Sequence, residues 1–270
     1  MSASDKVFAG SIPEIYDTHL VPLIFEAFAS DLARRVTELA PAQVLETAAG
    51  TGVVTRALAP RLGDGARYIV SDLNQPMLDK AASRQPADDR IVWRQADALH
   101  LPFDDDSFDA ICCQFGVMFF PDRIAGYREA LRVLKPGGHF LFNVWDRIEH
   151  NDFARIVTDT AAIMFPQDPP MFLARTPHGY HDVGQIDAEL RQAGFSTVEI
   201  TTLQETSNAA SARDPAVAYC QGTPLRNELD ARDPDALQSV TDQCAGAIAK
   251  QHGEGPVSGR IRGHVIVASP

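Results

Sequence analysis

The residues of this chain best suited to chemistry are acids at the ends of apolar runs, and the small residues that follow one of them. Glu46 closes Val44-Leu45-Glu46 and leads into Thr47-Ala48-Ala49-Gly50-Thr51-Gly52. Small side chains at Ala48, Ala49, Gly50 and Gly52 let a ligand lie directly on the backbone, and glycine adopts the dihedrals a tight turn needs. The segment 53–58 has helical spacing, so a helix N-terminus presents unpaired N–H groups to whatever sits there. Asp72 closes the apolar run 67–72 and lies 20 residues beyond Gly52. That is the separation at which an acid accepts hydrogen bonds from ribose hydroxyls. Asn74 is the better helix-cap candidate, with Pro76 near the first turn, which frees Asp72 for a ligand. Asp97 closes a third such run, 91–97. Groups able to take a proton are Tyr16, His19, His178, Tyr180 and His181; all five fall in the stretches 15–19 and 176–181.

The elements that must position these residues alternate regularly. Strands are expected at 43–47, 67–72, 91–97, 108–115 and 139–145, with helices at 53–62, 75–83 and 124–134 between them, and Lys135-Pro136-Gly137-Gly138 ending the last helix. The run 108–115 is almost wholly apolar, as in a strand buried within a parallel sheet. Strands alternating with helices at this spacing give a doubly wound, mostly parallel α/β sheet. Ligands of such sheets bind beyond the carboxyl ends of the strands. Glu46–Ala49, Asp72, Asp97 and Gln114 all stand at those ends, so they converge on one cleft for a nucleotide-like ligand. Beyond Trp145 helices are expected at 152–165, 183–193 and, with breaks at 222–224 and 233–234, over 214–251. Residues 172–182 read as a loop, and strands at 196–203 and 262–268 make seven.

This pattern divides the chain into an N-terminal helical flap (1–40), a core (41–203 with 256–270), and a helical insert (204–255) that serves as a lid or a dimer contact. With 270 residues, 45% apolar and 22% charged, the chain has the composition of a globular protein with a substantial core. A net charge of −12 disfavours nucleic acid or an anionic membrane surface as partner. No run is long and apolar enough to span a bilayer, and residues 1–10 lack the pattern of a secretory signal. Cys112, Cys113, Cys220 and Cys244 include no C-x-x-C pair, so neither a metal site nor a disulfide framework is expected, and a reducing cytoplasm is.

Two cofactor classes fit an acid-tipped sheet of this kind. A dinucleotide site would continue the glycine motif to a third glycine, where this chain has Thr55, and would leave no special task for an acid on the third strand. A Tyr-x-x-x-Lys pair for hydride transfer is also missing. Residues 44–146, by contrast, resemble the core of class I S-adenosylmethionine-dependent methyltransferases, in particular the small-molecule group that includes the ubiquinone/menaquinone biosynthesis type. The resemblance rests on Glu46-x-x-x-Gly50-x-Gly52, on Asp72, on Ala96-Asp97-Ala98 with Leu101-Pro102-Phe103, on Phe108-Asp109 and Gln114-Phe115, and on Arg132-Val133-Leu134-Lys135-Pro136-Gly137-Gly138. The family usually carries glycine where this chain has Ala48, a change tolerated if the turn needs no positive φ there.

The resemblance implies a Rossmann-like fold and S-adenosylmethionine as cofactor, with S-adenosylhomocysteine as product. It implies that Gly50 and Gly52, with Ala48, let the backbone approach the methionine part, that Glu46 orients the turn or meets the ammonium through water, and that Asp72 holds the ribose. It further implies that Leu73 and Met77 pack on the adenine, that Asp97 accepts from its amino group beside Ala96 and the Ala98 N–H, and that the Gln114 carbonyl faces the ammonium. The expected reaction is in-line methyl transfer to a small hydrophobic or aromatic acceptor, with His178, His181 and Tyr16 as candidate catalytic bases. Phe115, Met118, Phe119 and Tyr180, with Phe120, are expected to line the acceptor pocket. An NAD(P)-dependent oxidoreductase and a non-catalytic cofactor-binding protein are the alternatives. A homodimer is possible for such a chain, and no metal is expected.

Overall fold

A computed structural model describes residues 12–270, so residues 1–11 of the expected flap lie outside the described residues. The strands are β1 (Gln43–Glu46), β2 (Arg67–Asp72), β3 (Ile91–Gln95), β4 (Phe108–Gln114), β5 (Leu134–Trp145), β6 (Thr197–Ala209) and β7 (Val257–Ser269). They form one seven-stranded sheet in the order β3-β2-β1-β4-β5-β7-β6. The pairs β1–β2, β2–β3, β1–β4 and β4–β5 are parallel, with Glu46 opposite both Val70 and Cys112 and with Gln114 opposite Asn143. The chain winds outward from β1 to β3 and then returns to β4 on the other side of β1. The strand order therefore reverses between β1 and β4, the position where open α/β sheets form a ligand crevice.

The helices are α1 (Ile12–Ile15), α2 (Glu26–Glu38), α3 (Val53–Leu58), α4 (Gln75–Arg84), α5 (Arg123–Val133), α6 (Asp152–Met164), α7 (Phe172–Arg175), α8 (Val183–Ala193), α9 (Arg213–Gln221), α10 (Leu225–Arg232) and α11 (Ala236–His252), with a π-helical segment at Tyr16–Phe25. Pro22 lies inside that segment. It has no N–H to give to a regular helical ladder, which fits the wider winding there.

The chain forms two compact units, each assembled from separate stretches. One comprises 26–144, 181–203 and 264–270. Its core places Ala29, Leu32 and Val36 of α2 and Val54 and Leu58 of α3 against Val44, Cys112 and Leu141 of the sheet. The opposite face carries the rings of Tyr127, Phe140, Phe142 and Phe195, with centroids 4.9–6.1 Å apart. Burial of aromatic and branched side chains at about 1.5–3 kcal/mol each holds the helices to the sheet. The other unit comprises 12–25, 145–180 and 204–263. There α6, α9 and α11 pack on one another and α9 packs on the π-helical segment, whose Leu23 carbonyl accepts from Ser207 Oγ at 2.7 Å.

One division falls at 203/204, and α2 belongs to the sheet unit, because its buried Phe28, Leu32 and Val36 complete the sheet core. Three elements also differ from expectation. Residues 172–175 form a helical turn, because Met171 and Phe172 N–H both donate to the Glu228 carboxylate and start the helix with an acid. Residues 135–138 belong to β5 and do not simply end a helix; Lys135 Nζ pairs with Asp109 Oδ1 at 2.8 Å, while Asp109 Oδ2 accepts from the Ala42 and Gln43 N–H groups at 3.0 and 2.7 Å. Strand β6 continues to Ala209, into the stretch expected to be helical.

Candidate functional site

The turn after β1 is fixed by backbone hydrogen bonds to both neighbouring strands. The Thr47 N–H donates to the Cys112 carbonyl at 2.9 Å and the Ala49 N–H to the Ser71 carbonyl at 3.0 Å. Three residues in the turn have positive φ: Ala48 at 52°, Gly50 at 56° and Gly52 at 79°. Among the described residues, a Cβ added at Gly50 would meet nothing within 4 Å, so the turn is open to them above it. A Cβ at Gly52 would lie 2.9 Å from the Ala81 Cβ, so this glycine lets α3 start close against α4. The two glycines therefore do different work: Gly50 leaves room for a ligand, and Gly52 for a helix.

Ala48 answers the condition set by its sequence position, because its φ is positive and glycine would be the unstrained residue. Its methyl group is accommodated by Gly116, where an added Cβ would lie 2.5 Å from Ala48 Cβ and 2.7 Å from Cys113 Sγ. Phe115, just before, also has a positive φ of 50°. The ends of β1 and β4 thus touch through an alanine and a glycine at the reversal of strand order. We expect Ala48→Gly to raise stability by up to about 1 kcal/mol and Ala48→Val to lower it, because a β-branched residue is least tolerant of this conformation. Gly116→Ala should destabilise the protein, and less so in the Ala48→Gly background; urea unfolding of the four variants measures that coupling. Additive effects of Ala48→Gly and Gly116→Ala would remove the contact from the account.

Asp72 is buried, yet both carboxylate oxygens are in use. Oδ2 accepts from the Gly50 N–H at 2.8 Å, and Oδ1 from the Asn74 N–H at 2.7 Å and more weakly from Asn74 Nδ2 at 3.5 Å. Asn74 occupies the cap position of α4 without a side-chain cap bond, so Asp72 ties down that turn itself and is not freed by Asn74. Burial pushes its pKa above the ordinary carboxylate value, against hydrogen bonds that favour the charged form. A carboxylate has about four lone-pair sites, so it can hold two backbone N–H groups and still accept from a ligand hydroxyl. Next to it Leu73 is 48% exposed, an apolar surface beside a polar anchor, whereas Met77 is buried.

Glu46 is fully buried and does not face solvent. Its Oε2 accepts from Thr55 Oγ1 at 2.7 Å and from the Tyr68 hydroxyl. Burial pushes its pKa up to about 7, although both hydrogen bonds pull the other way. Thr55, the residue that replaces the third glycine of a dinucleotide motif, is thus a partner of the acid at the end of β1. Neither Thr55 nor Tyr68 is recognisable from spacing as a partner of Glu46, because the contacts join three separate elements.

Asp97 lies beyond the end of β3, exposed, with Oδ1 accepting from the Leu99 N–H at 2.9 Å; Ala96 and Ala98 beside it are half-buried. The Ala96 N–H donates to the Asp72 carbonyl at 3.0 Å, which joins the two acidic strand ends. Arg132 of α5 holds the loop that follows. It donates to the Leu101 and Phe103 carbonyls at 2.9 and 2.8 Å and pairs with Glu129, which in turn accepts from the Leu101 N–H at 2.8 Å. Gln114 ends β4 half-buried, level with the turn. Glu46, Ala48, Gly50, Gly52, Asp72, Leu73, Met77, Ala96, Asp97, Ala98 and Gln114 therefore all lie in one compact unit, at or next to the carboxyl ends of four adjacent strands. An open turn, a buried acid and an exposed apolar side chain together suit a nucleoside carrying a charged amino-acid tail.

Of the expected acceptor residues in this unit, Phe115 and Met118 are buried and Phe119 is half-buried. Phe115 meets the Phe28 ring edge-on at 5.2 Å. Phe120 packs on α5, where a Cβ at Gly126 would lie 2.6 Å from its ring, so it fills a helix contact. His181 is half-buried just before Asp182, which caps α8 through the Gln185 N–H at 2.9 Å.

Tyr16, His178 and Tyr180 belong to the other unit. The Tyr16 and Phe25 rings lie tilted at 5.2 Å, Phe25 and Trp145 at 5.9 Å, and Trp145 and His178 at 6.0 Å, a continuous run of rings. His178 is buried, with Nδ1 2.8 Å from the Asp146 carbonyl. A carbonyl only accepts, so Nδ1 carries the proton and the basic lone pair of the neutral ring is on Nε2. Tyr180 is also buried.

A methyltransferase-domain family model matches residues 45–142, the stretch from β1 to β5 just described. The chain is 32% identical to a demethylmenaquinone methyltransferase of Clavibacter sepedonicus over 181 residues, 62% of this chain and 70% of that protein. It is 30% identical to a ubiquinone/menaquinone biosynthesis C-methyltransferase of Shewanella sediminis over 176 residues, 60% of this chain and 70% of that one. Among solved structures, the YcgJ protein of Bacillus subtilis superposes with a TM-score of 0.58 at 20% identity, covering 90% of this chain and 97% of that chain, which shows a shared fold.

Proposed function

Since this chain belongs to the class I S-adenosylmethionine-dependent methyltransferases, the reaction itself is methyl transfer to a small hydrophobic or aromatic molecule, and we propose that the acceptor is a hydroxyaromatic compound of the quinol type. The observation that carries the acceptor class is the likeness to demethylmenaquinone and ubiquinone/menaquinone methyltransferases across more than half of the chain. The apolar segment Phe115–Phe120 after β4 is consistent with it, since it offers rings and a thioether to a flat substrate.

In this reading the backbone of the turn at Ala48, Gly50 and Gly52 receives the methionine part of S-adenosylmethionine, with the Gln114 carbonyl toward its ammonium. Asp72 accepts from the ribose hydroxyls, Leu73 and Met77 lie against the adenine, and Asp97 with the Ala98 N–H reads the adenine edge. Glu46 supports the turn from below through Thr55 and Tyr68. When bound, S-adenosylmethionine supplies an electrophilic methyl group on a sulfonium centre. The protein contributes alignment of donor and acceptor and exclusion of water. An acceptor that must lose a proton needs a base. His178, His181 and Tyr16 are the candidates, and the Asp146 carbonyl holds the His178 proton on Nδ1.

Calorimetry with S-adenosylhomocysteine and with NAD, followed by incubation with S-adenosylmethionine and naphthohydroquinone under argon, tests the reading. We expect binding of S-adenosylhomocysteine alone and a product heavier by one methylene unit. A chain that binds and yet methylates no hydroxyaromatic compound would sink the acceptor class. For the base, His178→Gln should lower kcat by about 10²-fold and remove the acidic limb of the pH–rate profile, where the base becomes protonated. An unchanged profile would assign the proton elsewhere.

A further inference from the structure

We propose that Asn143 is a positioning residue that reads a hydroxyl group of the methyl acceptor, an inference that rests on the hydroxyaromatic acceptor proposed above. Residues 140–145 of β5 read Phe-Leu-Phe-Asn-Val-Trp, so Asn143 is the one polar side chain in a buried apolar run. It is 0% exposed, and among the described residues neither its Oδ1 nor its Nδ2 has a hydrogen-bond partner. An amide buried in this way is costly, and native proteins seldom leave one unmatched. A leucine would be the bland occupant of this position.

The location of Asn143 gives the amide a use. It lies directly opposite Gln114 in parallel register, and Leu141 lies opposite Cys112, which itself lies opposite Glu46. Asn143 is therefore two residues beyond the level of Glu46, at the height of Ala48, and two strands away from β1. Strands are spaced at about 4.8 Å, which puts it on the order of 10 Å across the sheet from the turn. Asp72 and Asp97 lie on the opposite side of β1. Alternation along β5 places Asn143 on the face of Leu141, the face covered by α2, where Phe28 meets Phe115. It thus stands beyond the methionine end of the cofactor residues, close to the apolar segment assigned to the acceptor.

The chemistry of the missing partner follows from the two vacant atoms. Nδ2 donates and Oδ1 accepts, so a single group satisfying both must itself accept and donate. A hydroxyl does this. A carboxylate or an ether can only accept and would leave Oδ1 unmatched. A phenolic hydroxyl held here would have its ring oriented against Phe115.

The test uses the full chain saturated with S-adenosylhomocysteine. Calorimetry measures its affinity for naphthohydroquinone under argon and for the bis-methyl ether of that compound, in the native protein and in Asn143→Leu and Asn143→Asp. We expect Asn143→Leu to weaken naphthohydroquinone binding about tenfold or more, as when a polar site loses its matching group. S-adenosylhomocysteine affinity and binding of the ether should stay within about twofold, since neither uses the donor–acceptor pair. Asn143→Asp keeps an acceptor and loses the donor, so it should fall between. In turnover, Asn143→Leu should raise KM for the hydroquinone more than it lowers kcat. Naphthohydroquinone affinity unchanged in Asn143→Leu, with a raised Tm, would show that the amide held only an ordered water and would overturn the proposal. Weakened S-adenosylhomocysteine binding would place the amide at the cofactor and overturn it as well. A native protein that binds S-adenosylhomocysteine but no hydroquinone overturns this inference and the acceptor class together, and leaves methyl transfer standing.

Discussion

Asp72→Ala should weaken binding of S-adenosylhomocysteine about 100-fold, close to 3 kcal/mol, making it the most damaging single change at the cofactor site. The size comes from what the carboxylate holds. It ties the Gly50 N–H on one oxygen and the Asn74 N–H on the other, so one side chain fixes both the turn after β1 and the start of α4. Removing it frees two backbone segments and also removes the acceptor proposed for the ribose. Asp72→Asn preserves the shape and one acceptor oxygen and should lose about tenfold. Calorimetry at neutral pH separates the two variants, and a thermal melt shows whether each still folds. An Asp72→Ala protein that binds within about threefold of the native chain would dismiss the proposed ribose contact.

Glu46→Gln should act on stability and mainly at alkaline pH. Burial raises the folded-state pKa of Glu46 to about 7 from the ordinary value of 4.5. Below the unfolded value both states hold the proton and no difference arises. Between 4.5 and about 7 the folded state keeps the proton and the unfolded state loses it, so stability falls as pH rises across that interval. The total is about 3 kcal/mol, levelling off above the folded-state pKa. Glutamine retains an oxygen for Thr55 and Tyr68 and has no proton to lose. Urea unfolding at pH 5 and pH 8 should therefore find the variant close to the native chain at the lower pH and more stable at the higher. Asp72, also shifted upward by burial, adds a slope of the same sign to both proteins. Parallel pH dependences in the two proteins would show that Glu46 is ionised in the folded state.

Much of the frame was legible because its signals are local. Apolar runs ending in Glu46, Asp72 and Asp97, separated by segments of helical period, require only neighbouring residues to be read, and a mostly parallel, doubly wound sheet follows from their alternation. The role of α2 was not legible. Its apolar stripe at Phe28, Leu32 and Val36 looks the same whether it covers a flap or the main sheet. The interior of the site was hidden for another reason. The pairing of Glu46 with Tyr68 and Thr55 and the contact of Ala48 with Gly116 join residues far apart in the chain, and neither residue type announces its partner. Asn143 did leave a trace, as one amide in an otherwise apolar strand, but that trace gains meaning only once both of its polar atoms are found buried and unmatched. Asn74 misled in the opposite direction. Asparagine before a helix is a good cap in general, yet here the neighbouring aspartate bonds its backbone first.

The division into two compact units has a consequence for genetic dissection. The chain passes from one to the other at 25/26, 144/145, 180/181, 203/204 and 263/264, so each unit is assembled from segments that emerge from the ribosome interleaved with those of the other. No single cut of the gene releases either one intact. A chimaera meant to exchange a whole unit with a relative must exchange several cassettes at once. Diversification by recombination is correspondingly hindered, and point substitution along residues 114–120 and at Asn143 is the more open route to a new acceptor.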